Sequence, residues 1–229
     1  MRTAATAGRI VGALIIVQMV AGVLVNFVLT APLFGSPGFL VSAASHSLQI
    51  GLSVLLGLAM TALSVGIAII MFPVIRQDAP GTALWLLALA SVSLAITAVE
   101  QINVLSMLSL SEAYSKAVAG ERESFQGLRI VVASARNWSH YVGLVIAGST
   151  IFVLYSALYR FPLVPRALAA FGMTAAALQI IAVAMPLFGI NVVFLMLAPL
   201  GVSQLILALW LIARGLRAPA DARAAGSDA

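Results

Sequence analysis

The sequence predicts an all-α integral membrane protein with six transmembrane helices. Its 229 residues are 62% hydrophobic and only 8% charged, with a mean hydropathy of +1.13, whereas about a quarter of a soluble domain is charged. Because the hydrocarbon contains no water, spanning segments must be helices or a closed barrel. The apolar runs are about 20 residues or longer and lack the alternation of barrel strands, so they predict helices.

Turn-forming and charged residues divide the chain into these spans. The first span follows Arg2 and Arg9, and its apolar stretch of about 20 residues exceeds a signal-peptide core, so we expect it to be retained. Prolines and glycines in residues 31–44 predict a turn or a short interfacial element. Residues 1–213 are predicted to form one domain and residues 214–229 a disordered cytoplasmic tail. The predicted spans are residues 8–30, 45–75, 82–110, 128–159, 167–188 and 192–213.

The third and fourth spans are predicted to form a long helical hairpin. The residues between them are polar and charged, yet they remain helix formers interrupted mainly by Gly120. We therefore expect both helices to project beyond the bilayer on its outer side. The tip of this hairpin, residues 111–128, is a candidate docking surface for a membrane protein partner.

The distribution of basic residues predicts that both termini are cytoplasmic, since cytoplasmic loops carry the excess of arginine and lysine. This orientation indicates a multi-pass protein of the cell membrane, with the bacterial inner membrane expected. Because the basic residues lie at span ends and form no single patch, no nucleic-acid partner is expected. With the N-terminus inside, the cytoplasmic ends hold eight basic residues, Arg2, Arg9, Arg76, Arg160, Arg166, Arg214, Arg217 and Arg223, against four outside, Lys116, Arg122, Arg129 and Arg136.

Glu100 is the only acidic residue inside an apolar segment. An ionisable group within a span costs about 2.5–3.5 kcal/mol on insertion scales, so such groups usually face the interior of a bundle and mark function. Ser93, Thr97, Asn103 and Met107 recur with Glu100 at steps of three and four, which places them on one helical face. This face is therefore expected to contact protein or a cavity.

The hairpin geometry predicts partners for Glu100. With the turn near Gly120, Glu100 lies 20 residues before the tip and His140 lies 20 residues after it, so equal helical rise brings them to one level. Arg136 shares a face with His140 and lies about 6 Å further along the helix. We expect Glu100 to pair with Arg136, His140 or both, near the outer membrane interface.

Two non-catalytic functions are compatible with this cluster. A polar pocket in the outer half of the bundle, lined by Thr97, Glu100, Asn103, Arg136 and His140, would bind a small lipophilic or amphipathic ligand. Alternatively, the ion pair only fixes helix register, and the protein is a non-catalytic accessory or structural subunit of a membrane complex.

A haem- or metal-binding redox protein or hydrolase is a third alternative, with His46, Glu100 and His140 as ligands of haem b or zinc. Depth argues against it, because His46 lies about 43 Å and His140 about 29 Å from the inner ends of their helices. We therefore expect no cofactor. The motifs HExxH and GxSxG and a glycine-rich phosphate loop are missing from the sequence, so catalytic residues cannot be assigned and enzymatic activity stays open.

The last third of the chain resembles a known family. The similar features are Tyr159-Arg160, the Leu163-Val164-Pro165-Arg166 turn, Gly172, and Leu209-Trp210-Leu211-Ile212 before Gly215. They resemble a bacterial family of small membrane proteins that is known only as a domain of unknown function. The resemblance implies a six-helix bundle and supplies no catalytic residues.

Overall fold

The structure, a computed structural model, describes residues 2–217, and all regular elements in that range are helical. A π-helical turn extends the first helix over Val25–Leu29, and short 3-10 turns precede α4, α6 and α8 and follow α7. The helices are α1 (Arg2–Leu24), α2 (Ala31–Phe34), α3 (Phe39–Ser42), α4 (Ser47–Ile75), α5 (Pro80–Lys116), α6 (Arg122–Arg160), α7 (Arg166–Ala184) and α8 (Ala198–Arg214).

Six helical segments within residues 2–217 are long and apolar enough to cross a membrane, which confirms the prediction of a six-helix membrane protein at this level. Their hydropathy places them in a lipid bilayer, whereas the orientation of the termini stays a prediction. The segments are Ala4–Leu29, Ala44–Ile75, Pro80–Lys116, Arg122–Arg160, Arg166–Phe188 and Phe194–Arg214.

The third and fourth spans are longer than their apolar cores. Helix α5 continues to Lys116 and α6 begins at Arg122, because the polar residues between 111 and 128 are mostly good helix formers. Only residues 117–121 interrupt the two helices, so a helical hairpin forms as predicted. Its projection beyond the bilayer stays a prediction.

An irregular connection separates the fifth and sixth membrane-length segments, Arg166–Phe188 and Phe194–Arg214. Helix α7 ends at Ala184 and a 3-10 turn follows, with Gly189 in the left-handed conformation at φ +73°. Helix α8 begins only at Ala198 with Pro199 in its first turn, a position that suits proline because its missing N–H has no helical partner there. The membrane-length segment that contains this helix begins at Phe194, and the span boundary at residue 192 stays a prediction. Of the predicted tail, residues 218–229 lie outside the described residues.

The chain divides into two compact units. Of the described residues, the first contains 2–18, 63–93 and 144–217, and the second contains 19–62 and 94–143. Helices α1, α4, α5 and α6 contribute residues to both units, so this division does not test the prediction of one domain over residues 1–213.

In the first unit, a glycine-mediated contact joins α6, α7 and α8. Tyr155 of α6 is fully buried, and its hydroxyl donates to Ser203 Oγ of α8 at 3.3 Å. Gly172 of α7 lies against the Tyr155 ring so closely that a Cβ atom there would overlap the ring carbons. The absence of a side chain at residue 172 therefore creates the space that Tyr155 fills.

A second close contact in this unit packs α1 against α8. Gly8 and Gly12 are four residues apart and form the small-xxx-small pattern that allows membrane helices to approach closely. A Cβ on Gly12 would lie 2.7 Å from the carbonyl oxygen of Ala208, and a Cβ on Gly8 would overlap the backbone of Leu216. The sequence analysis did not identify this contact, because residue spacing does not show which helix approaches.

In the second unit, the segment 31–46 packs onto α4 and α5, as a short interfacial element would. Ser111 of α5 anchors it, because its hydroxyl donates to the Leu40 carbonyl at 3.1 Å and accepts from the Ala44 N–H at 2.9 Å. The segment and the two helices share one apolar core, which consists of Leu33, Phe39, Leu40, Ala43, Ile50, Val54, Val104 and Met107.

We predict that Gly172→Ala lowers the free energy of unfolding by about 1–3 kcal/mol, the usual cost of overpacking a well-packed core. Thermal unfolding in mild detergent measures the effect. Gly201→Ala is the matched control, because a Cβ there meets no atom within 4 Å. Equal stability of the two variants would contradict the assigned packing of Tyr155.

Candidate functional site

Glu100 of α5 lies at the centre of a buried polar cluster in the second unit. Its Oε1 accepts a hydrogen bond from Arg136 Nη2 at 3.0 Å and another from His140 Nδ1 at 2.9 Å, both from α6. The side chains of Glu100 and Arg136 are only 13% and 11% exposed, and that of His140 is 27% exposed. The structure thus contains both contacts that the hairpin geometry predicted.

The helical framework explains why these three groups meet. Arg136 and His140 are one turn apart on α6, so both project toward the same turn of α5. The charges of Glu100 and Arg136 oppose one another, and pairing is what makes buried charges tolerable among apolar helices. Because a carboxylate can only accept, His140 Nδ1 carries the proton in its contact, and in the neutral ring Nε2 is then an acceptor.

The cluster leaves two acceptor atoms without a hydrogen-bond partner among the described residues. Within residues 2–217, both hydrogen bonds to the Glu100 carboxylate end on Oε1 and none ends on Oε2. His140 Nε2 likewise makes no hydrogen bond to the described residues, although Nδ1 of the same ring is bonded. The site therefore offers two acceptor atoms to an additional molecule.

Arg136 is held by a contact that the sequence did not predict. Its guanidinium carbon lies 4.5 Å from the centroid of the Phe34 ring, within the range of a cation–π contact. Its Nε is buried and has no hydrogen-bond partner among the described residues. Phe34 belongs to α2, in the segment whose turns have no helical period, so residue spacing gave no signal that it would reach Arg136.

The other two predicted site residues bind different neighbours. Asn103 Nδ2 donates to Ser139 Oγ at 3.2 Å and to the Ala135 carbonyl at 3.3 Å, which ties α5 to the turn of α6 that carries Arg136. Thr97 Oγ1 instead accepts from Thr61 Oγ1 of α4 at 3.2 Å. Asn103 therefore lies beside the cluster, whereas the hydrogen bond of Thr97 is directed to another helix.

His46 is not part of this cluster. It lies in the turn before α4, where its exposed ring makes contacts from Nδ1 to the Ser42 carbonyl at 2.8 Å and Ser45 Oγ at 3.0 Å. Across residues 2–217, no three His, Cys, Asp or Glu side chains are arranged to hold a metal ion. The structure thus joins Glu100 and His140 but does not bring His46 to them, and the cofactor expectation stays a prediction.

Residues 10–215 match the family described as Domain of unknown function (DUF4386), and the chain therefore belongs to this family. The match confirms the resemblance seen in the last third of the sequence and extends it over most of the chain. The family description states no activity. Comparison with curated proteins and with solved structures finds no match.

We predict an interaction between Glu100 and Arg136 in a double-mutant cycle. Glu100→Gln and Arg136→Met each leave one buried charge unpaired, so each should destabilise the protein, and the double variant should lose less than the sum. The expected coupling free energy is about 1–3 kcal/mol, measured by unfolding in detergent. Glu112→Gln, at an exposed position, is the control, and its effect on the free energy of unfolding should simply add to that of Arg136→Met. If the effects of Glu100→Gln and Arg136→Met also add, Glu100 and Arg136 do not interact as assigned.

Proposed function

We propose, for this member of the DUF4386 family, that the Glu100 cluster binds the polar group of a small amphipathic ligand. The observation that supports the proposal most directly is the pair of acceptors left after the cluster has formed, Glu100 Oε2 and His140 Nε2. A hydroxyl, amine or amide group could donate to either atom. The ligand would bind in a polar pocket in the outer half of the bundle. This pocket would form when Phe34 moves aside, or when the ligand packs beside Phe34.

The bonding pattern of the carboxylate also supports binding. An arginine that serves only to neutralise a carboxylate commonly binds both of its oxygens in a bidentate pair. Here Arg136 and His140 share one oxygen, and the second oxygen keeps its acceptor capacity in a region where an unpaired acceptor is costly. A ligand donor would satisfy that oxygen.

The surroundings suit an amphipathic ligand. Val99 precedes Glu100 on α5 and is 48% exposed, and Phe34 over Arg136 is 52% exposed. In a bilayer these side chains face acyl chains, so a molecule dissolved in the membrane could approach the cluster laterally. Its apolar part would pack on these side chains while its polar group bonds to Glu100 and His140.

An accessory role is the second candidate, favoured by the order of the hairpin tip. Tyr114 and Phe125 form an edge contact with ring centroids 5.8 Å apart, and Arg122 lies 5.4 Å from the Tyr114 centroid. Val118 and Leu128 are nevertheless 65% and 51% exposed. Residues 111–128 thus form a structured tip with exposed apolar and charged groups that could dock a membrane protein partner in the bacterial inner membrane.

We predict that Glu100→Gln abolishes retention of a co-purified ligand, because the amide oxygen carries no charge and its NH₂ group opposes a ligand donor. Protein is purified in mild detergent, inspected by native mass spectrometry, and extracted with organic solvent for lipid analysis. Wild type should carry a stoichiometric amphipathic molecule that the variant lacks.

The matched control for this experiment is Gly172→Ala, which should be destabilised in the first unit but should keep the ligand. If both variants lose it, the loss reflects instability and not the carboxylate. Wild-type protein that carries no small molecule would overturn the binding proposal and favour the accessory role.

A further inference from the structure

The two units of the chain carry very different charge. Among the described residues, the first unit contains seven arginines and one acidic residue, Asp78, for a formal charge of +6. The second unit contains four basic and four acidic residues and is formally neutral. The excess positive charge of this protein thus belongs to one unit, which is the unit without the Glu100 cluster.

Within the first unit, three arginines converge on one loop. Arg160 ends α6 and Arg166 begins α7, and the five residues between them form the connection. The backbone N–H of Arg217, beyond the end of α8, donates to the carbonyl of Leu163 in the middle of this loop at 3.0 Å. The chain thereby gathers Arg160, Arg166 and Arg217 around residues 161–165.

The loop itself is rigid and apolar beneath these arginines. Leu163, Val164 and Leu216 are 2%, 0% and 3% exposed, so the backbone on which the arginines stand is fixed by packing. The three arginine side chains are exposed. Within residues 2–217 none of them forms a salt bridge with an acidic side chain, and Arg160 lies 5.5 Å from the centroid of the Phe161 ring. An external anion would pair with these charges.

We propose that this loop binds the headgroup of an anionic phospholipid. Arg160 and Arg166 are terminal residues of two membrane-length apolar segments, and Arg217 lies three residues beyond the end of a third, so all three would lie near the lipid phosphates. Beside them, Tyr159, Leu209 and Ile212 are 44%, 55% and 42% exposed and would contact the acyl chains of the same molecule. A guanidinium binds phosphate through two parallel hydrogen bonds, and basic pockets between membrane helices are known to take such headgroups.

A lipid site asks more of these arginines than membrane topology does. The orientation of the helices in the membrane depends only on where positive charge lies in the sequence. A defined site requires that the charges be held together, and the Arg217–Leu163 hydrogen bond does this. This inference is independent of the Glu100 proposal, because the two sites share no residue.

The test titrates the purified full-length protein with phosphatidylglycerol or phosphatidylcholine of matched acyl chains and counts bound lipids by native mass spectrometry. Wild type should prefer phosphatidylglycerol. The triple variant Arg160→Gln/Arg166→Gln/Arg217→Gln should lose at least about tenfold of this preference, since each cation near an anionic surface contributes roughly fivefold. The matched control removes the same charge from exposed positions of the second unit, Lys116→Gln/Arg122→Gln/Arg129→Gln, and should keep the preference.

Equal losses in the two triple variants would mean that lipid preference follows net charge alone, and the site would be overturned. If the glutamine variant does not fold, Arg160→Lys/Arg166→Lys/Arg217→Lys preserves the charge and should still bind phosphatidylglycerol more weakly than wild type, because lysine lacks the bidentate fork. Inorganic phosphate distinguishes the source of the anion. Stabilisation by phosphate equal to that by the lipid would assign the loop to free anions and overturn the lipid proposal.

Discussion

The packing of the second unit depends on the buried carboxylate of Glu100, which needs a positively charged partner. A buried negative charge among apolar helices needs a cation within hydrogen-bond reach, and Arg136 provides it from α6. A slip of one helical turn would move α6 by about 5.4 Å and break this contact. The charge pair therefore stabilises the register of α5 against α6 that the short connection at residues 117–121 permits, and Asn103 reinforces it through its bonds to Ser139 and Ala135.

The segment 31–46 also contacts this charge pair, through Phe34. Pairing with Glu100 leaves one face of the Arg136 guanidinium to be covered, and the Phe34 ring lies over it. The position of Phe34 in turn depends on the apolar core below α2 and α3 and on the two hydrogen bonds of Ser111.

The sequence predicted the features that depend on composition and on unbroken helices. Hydropathy identified six spans, and the meeting of Glu100 with Arg136 and His140 followed from residue counts, because only residues 117–121 separate α5 from α6. Phe34 escaped prediction because its segment turns at Gly38, where φ is +100°, and so has no period to extrapolate. The irregular turn before α8 escaped as well, since hydropathy treats residues 192–197 as apolar and does not register the preference of Pro199 for the first turn of a helix.

The pairing of glycines with their neighbours lies beyond sequence reasoning for a different reason. A glycine four residues from another indicates a close helix contact, but it does not say which helix approaches, and Gly8 and Gly12 contact the end of α8 from the far end of the chain. This contact places the end of α8 and, through the Arg217–Leu163 hydrogen bond, draws it to the loop between α6 and α7. A lipid site at Arg160, Arg166 and Arg217 would thus depend on two residues that have no side chain at all, because widening the α1–α8 contact would release Arg217 from the loop.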